Sequence, residues 1–170
     1  KFTALIAVLV IAAMAWQAMV AIEKGVEHLE AEINDNGIAQ ALSVKGLIDP
    51  ASLEKINIEP LTIKEKEALD FLLTRYAQSP KIRDIVIIQR PRGPEGDEEI
   101  VSSAKRGATR RSEGRKIPYP KAKQAGVAIS EFEDDEVPVR SFSTNITATV
   151  RAEVLVSVQS IRNSHDDLSR

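Results

Sequence analysis

The sequence predicts an α+β protein in which an N-terminal transmembrane helix precedes an antiparallel sheet of about five strands packed on two helices. Three observations carry this prediction. The chain begins with a long uncharged apolar segment, two stretches with helical spacing follow it, and from Lys81 onward apolar residues alternate with a period of two. The chain has 170 residues and a net charge of −2. These values suit one small domain with an appendage, and not a strongly basic nucleic-acid binder.

The first segment is long enough to cross a membrane. Residues 2–22 contain no charged side chain, and a helix of about 20 apolar residues spans the hydrocarbon core of a bilayer. Ala13-Met14-Ala15 also fits the small-x-small form of a signal-peptide cleavage site, but the apolar run continues to Ile22, longer than a typical signal core. We therefore interpret residues 1–24 as a transmembrane helix.

Charges on either side of this segment predict its orientation. Lys1 precedes the segment, whereas residues 23–32 contain four glutamates and a single basic side chain, Lys24. Positive charge is retained preferentially on the cytoplasmic side of a membrane. We therefore expect a single-pass protein of the bacterial inner (cytoplasmic) membrane with its main domain on the periplasmic, extracytoplasmic side.

A juxtamembrane amphipathic helix is predicted over residues 25–48. Its apolar residues, counted from the end of the membrane segment, are Ile22, Val26, Leu29, Ile33, Ile38, Leu42 and Leu47. The sequence NDNG at 34–37 should weaken or kink this helix, since glycine costs about 1 kcal/mol relative to alanine in a helix interior. Such a seam can pair with a second copy as a short coiled coil or can cover the domain's own sheet, and the sequence leaves both open.

A second helix has clear signals at both ends. Thr62 and Glu65 form a capping box at its start, and Ser79-Pro80 ends it. Because the residues between them carry an apolar stripe, this helix is expected to pack on the sheet.

Five strands are predicted after it, at residues 84–89, 100–104, 126–132, 137–143 and 147–158. In the last strand the valines alternate with polar residues, which predicts one buried face and places Arg151 and Glu153 on the opposite face. The expected core consists of Leu69, Leu72, Leu73, Ile85, Ile87, Val127, Ile129, Val150, Val154 and Val156.

Two segments resemble a known family. "KIRDIVIIQRPRGPEGDEEIVSSAKR" (81–106) resembles the central hairpin of PAS-like extracytoplasmic sensor domains of the Cache type. "VPVRSFSTNITATVRAEVLVSVQSIR" (137–162) resembles their final hairpin, whose last strand continues into a helix that returns to the membrane. The resemblance implies a PAS-like domain at 49–161 followed by a C-terminal tail at 162–170. No ligand-contact residue carries over position by position.

The segment "KRGATRRSEGRK" (105–116) concentrates basic side chains. Its Gly, Ser and Thr content predicts a solvated loop, and it has no aromatic side chain on which a base can stack, so no nucleic-acid partner is expected. The alternatives are an anionic-ligand site or a docking surface for an acidic partner or lipid headgroups. Its candidate residues are Lys105, Arg106, Arg110, Arg111, Arg115 and Lys116.

Signals for catalysis are weak. The sequence contains no HExxH, GxxxxGK[ST], GxGxxG or GxSxG motif, and it contains no cysteine. His28 and His165 have acidic neighbours, but that pattern is more typical of a solvated face than of a metal site. The carboxylates at 131–136 are expected in a hairpin turn. We expect no enzyme, no cofactor and no metal site.

Two functions remain compatible with these features. The resemblance implies the extracytoplasmic ligand-sensing region of a bacterial signalling receptor. The chain stops at Arg170 without the second span and output domain of such receptors, which favours an accessory or stabilising subunit of a larger membrane complex, for instance a respiratory or photosynthetic one. The expected partners are then the lipid bilayer and other subunits of that complex or a second copy of the chain.

Overall fold

The structure is a computed structural model that describes residues 2–55, 59, 61–79, 81–90, 99–104, 122–134 and 137–159. The helices in these residues are α1 (Phe2–Leu47), α2 (Pro50–Glu54) and α3 (Ile63–Tyr76). The strands are β1 (Ile82–Gln89), β2 (Glu99–Ser103), β3 (Ala122–Gln124), β4 (Val127–Asp134), β5 (Val137–Asn145) and β6 (Val150–Ser157). The predicted α+β class, with a long apolar helix before an antiparallel sheet, is confirmed.

The chain divides into two compact units, and the boundary falls inside α1, between Asn34 and Asp35. The second unit, Asp35–Val158, is called the sheet domain below. The last three turns of α1 therefore belong to the sheet domain, together with α2, α3 and all the described strands.

The first unit contains the apolar part of α1. An 18-residue window of this helix has a mean hydropathy of 2.0, and none of that window is buried. Among the described residues, α1 is the one helix long and apolar enough to cross a membrane. It is therefore a candidate membrane span, as the sequence predicts.

The sequence NDNG does not interrupt α1. The helix continues through residues 34–37 to Leu47, so the predicted weak point is not a break in the helix. The glycine has another role. A Cβ atom at Gly37 would approach the ring of Phe142 on β5 far more closely than the 3.0 Å below which real Cβ contacts essentially never fall. Position 37 has no room for a side chain, because α1 packs against the Phe142 ring of the sheet there.

The buried stripe of α1 in the sheet domain differs from the predicted one. Ile38, Ala41 and Val44 are buried, whereas Leu42 and Leu47 are 40% and 42% exposed. Because Gly37 contacts Phe142 of the same domain, this part of α1 covers its own sheet. That was one of the two alternatives the sequence left open.

Gly37→Ala is expected to destabilise the sheet domain. The added methyl group overlaps the Phe142 ring, and overpacking of this kind costs about 1–3 kcal/mol. Gly46→Ala is the matched control, because nothing lies within 4 Å of its added Cβ. That change should stabilise the helix by up to about 1 kcal/mol. Urea denaturation of the full chain in detergent measures both, and equal stabilities would contradict the close contact.

The sheet has the strand order β2-β1-β6-β5-β4-β3, and its neighbouring strands are antiparallel. The five predicted strands correspond to β1, β2, β4, β5 and β6. The short β3 was not predicted. It joins β4 through Ala125 and Gly126, whose φ angles of 50° and 79° suit a two-residue hairpin turn with both central residues at positive φ.

Helix α3 forms as predicted from its capping box. The N–H of Glu65 donates to Thr62 Oγ1 at 3.4 Å, and the N–H of Thr62 donates to Glu65 Oε2 at 2.9 Å. Thr74 Oγ1 donates to the carbonyl of Ala104 at 3.1 Å, which ties α3 to the end of β2. Leu73 is buried, so α3 packs on this part of the sheet.

The predicted core is largely confirmed. Leu73 and the predicted strand residues are buried, namely Ile85, Ile87, Val127, Ile129, Val150, Val154 and Val156. Leu69 and Leu72 are only half-buried.

Thr62→Ala is expected to lower the free energy of unfolding by about 1 kcal/mol through loss of the N-cap, whereas Thr62→Ser should change it little. Hydrogen bonds from the Thr62 side chain and backbone N–H lower the pKa of Glu65 below its ordinary value of 4.5. The stability that ionised Glu65 contributes through these hydrogen bonds is therefore fully present above pH 4.5. It is lost as the pH falls through the lower pKa of Glu65 in the folded state. The stability difference between Glu65→Gln and the parent, measured by denaturation across pH, should shrink on acidification; a constant difference would contradict it.

Candidate functional site

The two faces of the sheet differ in chemistry. Directly opposed residues of antiparallel strands project to the same face, and Phe142 is opposed by Val154 on β6 and Ile129 on β4. Since Phe142 meets α1 at Gly37, this side is called the helix face. The other side is called the polar face.

The polar face is built from rows that cross the sheet. One row runs Asp84, Leu155, Ser141, Ser130 from β1 to β4, and the next row runs Ser103, Val86, Glu153, Ser143, Ala128 from β2 to β4. Arg151 lies on the same face, opposite Ile88. Serines and charged side chains therefore extend across the sheet, from the edge strand β2 to β4, with Arg151 and Glu153 on the central strand β6.

The part of this face that β6 forms is buried, contrary to the expectation of a single buried face on the last strand. Residues 150–156 of β6 are all buried, including Arg151 and Glu153. Strand β6 lies between β1 and β5 in the middle of the sheet. The polar face is thus a place where polar side chains have been removed from water, which costs free energy unless they are paired.

Arg151 and Glu153 pair with each other. They stand two residues apart on β6 and so share one face. Arg151 Nε donates to Glu153 Oε1 at 3.1 Å, and Arg151 Nη2 lies 3.0 Å from the same oxygen. Both side chains are only 6% exposed. Buried pairs of this kind contribute little net stability compared with apolar residues of the same size.

Asp84 is the β1 residue of the row that contains Leu155, Ser141 and Ser130. It follows an irregularity in the pairing of β1 with β6, between Ile82 and Asp84, and bulges of this kind redirect side chains near functional sites. The carboxylate accepts from Ser103 Oγ at 2.9 and 3.1 Å and from the N–H of Ile85 at 2.8 Å. Asp84 is buried, so these donors replace the water it has lost.

Ser141 differs from these neighbours. It is 1% exposed, and among the described residues its hydroxyl is the buried side-chain polar atom that has no hydrogen-bond partner. Leaving a buried hydroxyl unpaired costs about 1–3 kcal/mol. Since a serine hydroxyl can both donate and accept, the polar face offers one unused hydrogen-bonding group between Leu155 and Ser130.

None of the predicted candidate residues is a described residue of the polar face. The six basic side chains, Lys105, Arg106, Arg110, Arg111, Arg115 and Lys116, are outside the described residues. His28 is exposed on α1, and His165 is also outside the described residues. In the described ranges no group of three or more His, Cys, Asp or Glu side chains could hold a metal ion.

The carboxylates at 131–136 were expected in a turn, but β4 continues to Asp134. Glu131 lies opposite Arg140 on the helix face, and Arg140 Nε donates to Glu131 Oε1 at 2.8 Å. This acidic group is therefore part of a cross-strand ion pair of the sheet. Residues 135 and 136 lie outside the described residues.

The sequence analysis missed Ser141, Asp84, Arg151 and Glu153 as candidates. Arg151 and Glu153 were assigned to the correct side of β6, opposite the valines, but that side was not expected to be buried. One usable signal was present: Leu155, an apolar residue, projects to the same side of β6 as Arg151 and Glu153. Ser141 carried no signal of its own.

No protein-family model matches the chain, and no curated protein matches it.

Proposed function

We propose that this chain is the extracytoplasmic ligand-sensing region of a bacterial signalling receptor, which binds a small molecule on the polar face of its sheet. The observation that carries the proposal is the buried, unpartnered hydroxyl of Ser141. A ligand that hydrogen-bonds this group recovers free energy that the unliganded domain loses. The Arg151–Glu153 pair places two buried, opposite charges on the same face.

The proposed PAS-like character of the domain has support from the two segments that resemble Cache-type sensors. The first contains the antiparallel pair β1 and β2, and the second contains the antiparallel pair β5 and β6. Each of the two segments therefore contributes a pair of neighbouring antiparallel strands to one sheet. Strands β1 and β6 also pair with each other, so the two segments meet along the centre of the sheet.

The proposed topology places Lys1 in the cytoplasm and the sheet domain in the periplasm. Its support is the apolar window of α1 and the acidic residues that follow it. Protease added to intact spheroplasts should digest the sheet domain. Complete protection in intact spheroplasts, with digestion after lysis, would place the domain on the cytoplasmic side.

The binding proposal is tested by thermal unfolding of the full chain in detergent against a panel of small polar metabolites. We expect at least one compound to raise the melting temperature in proportion to its concentration. Ser141→Ala should weaken that compound's binding about tenfold, equivalent to one lost hydrogen bond of about 1.4 kcal/mol. The same variant should unfold no more easily than the parent without ligand, because its hydroxyl has no partner to lose.

Ser102→Ala is the matched control. Ser102 is a buried serine of the helix face, and its hydroxyl donates to Asp70 on α3. This variant should lower stability without changing ligand affinity. If both variants change affinity equally, or if no compound in the panel stabilises the chain, the polar face is not the binding site proposed.

A second candidate function is an accessory or stabilising subunit of a larger membrane complex. The supporting observation is on α3, where Ile63 and Phe71 are 79% and 65% exposed. Large apolar side chains at such positions are suited to contact another protein. Stoichiometric comigration of the chain with a larger complex after gentle solubilisation, lost in Phe71→Glu, would favour this function over the sensor.

A further inference from the structure

Strand β5 joins the polar face to helix α1 through two consecutive residues. Ser141 projects to the polar face, and Phe142 projects to the helix face, because neighbouring side chains of a strand alternate. Phe142 is fully buried, and its ring lies directly against Gly37 of α1. One peptide unit thus separates the unpartnered hydroxyl from the contact with the helix.

The contact between Gly37 and the Phe142 ring leaves no free space on either side. Gly37 has no side chain that can change rotamer, and a single added carbon there would already overlap the ring. On its own sheet the ring is flanked by Ile129 and Val154, both buried. Because protein interiors are close-packed and transmit displacement, a shift of β5 toward the helix face must be met by α1.

We infer that occupation of the polar face at Ser141 is transmitted to α1 by the Phe142 ring acting on Gly37. This inference rests on the proposed sensing function and names how its site is coupled to the helix that carries the candidate membrane span. The physical basis is differential contact: a ligand that fits best when β5 is displaced also favours the matching position of α1.

The coupling can be tested without knowing the ligand, because the chain contains no cysteine. Ser141→Cys supplies a single thiol on the polar face, and methyl methanethiosulfonate converts it to a methyl disulfide that occupies the position of a ligand group. Mass spectrometry of the full chain in detergent gives the extent of reaction. Hydrogen exchange of the backbone amides of residues 38–47 then reports the response of α1 in the sheet domain.

We expect complete modification of Ser141→Cys to change exchange at these α1 amides at least threefold. In Ser141→Cys combined with Phe142→Ala the ring is missing, and the same modification should leave α1 exchange unchanged. Ser79→Cys, at an exposed position after α3, is the control for modification itself and should show no change. A Ser141→Met variant, which fills the same position permanently, should reproduce the change without any reagent.

Unchanged α1 exchange in both the modified Ser141→Cys and the Ser141→Met chains would overturn the inference. So would a change that persists when Phe142 is alanine, because the signal would then bypass the ring. Neither result bears on whether a metabolite binds, so a failure of coupling remains distinguishable from a failure of the proposed function. That function fails separately, if no compound of the panel stabilises the parent chain.

Discussion

Val154→Asp is expected to unfold the sheet domain. Val154 is fully buried on β6, where it lies opposite Ile85 on one side and Phe142 on the other. These apolar neighbours offer no hydrogen bond to a carboxyl group. Burying this group among them costs several kcal/mol, even if it becomes protonated and loses its charge. A domain with a typical stability of about 5–15 kcal/mol loses most or all of it.

The measurement is the urea or thermal unfolding of the full chain in detergent, followed by the loss of β-sheet circular dichroism. Ile63→Asp is the control, because it introduces the same side chain at the first residue of α3, where Ile63 is 79% exposed. An aspartate in the first turn of a helix is mildly favourable, so this variant should melt like the parent. Equal melting of Val154→Asp and Ile63→Asp would show that Val154 does not face the core.

Arg151→Met is expected to lower the free energy of unfolding by about 3–5 kcal/mol, the typical effect of removing one partner of a buried ion pair. Glu153 would keep its buried carboxylate while losing both nitrogen contacts to its Oε1 atom. The destabilisation comes from this uncompensated charge and not from lost attraction alone. It should appear as a lower urea midpoint with an unchanged slope.

The double variant Arg151→Met/Glu153→Leu separates these two explanations. With both charges removed, Glu153 no longer leaves an unpaired buried carboxylate, and replacement of a whole buried pair by apolar residues is often neutral or stabilising. We expect the double variant to recover most of the stability lost by Arg151→Met. A double variant as unstable as the single one would show that the pair itself, and not the unpaired carboxylate, determines the effect.

Features whose causes are local could be predicted from the sequence. The capping box of α3 depends on Thr62 and Glu65, which are three residues apart and hydrogen-bond to each other. The alternation of β6 likewise depends on neighbouring residues, so the inward side of Val150, Val154 and Val156 was predicted correctly. In each case the interacting groups are close in sequence, and the pattern records the contact directly.

The role of Gly37 shows where local reasoning stops. A glycine after NDN lowers helix propensity, and from the sequence alone that cost predicts a weak point. The structure has a continuous helix instead, because the missing side chain allows α1 to contact Phe142, about a hundred residues later in the chain. A packing gain between distant residues exceeds a propensity cost at one of them, and only the tertiary structure contains the distant partner.

The candidate site was decided by tertiary structure for the same reason. The sequence by itself determined that Arg151 and Glu153 project away from the valines of β6. It could not determine that this side is buried, because burial of a sheet face depends on which other parts of the chain cover it. Strand order is set by contacts between segments far apart in the chain, whereas periodicity describes one segment at a time. The burial of Ser141, and with it the candidate ligand site, is likewise decided by tertiary contacts.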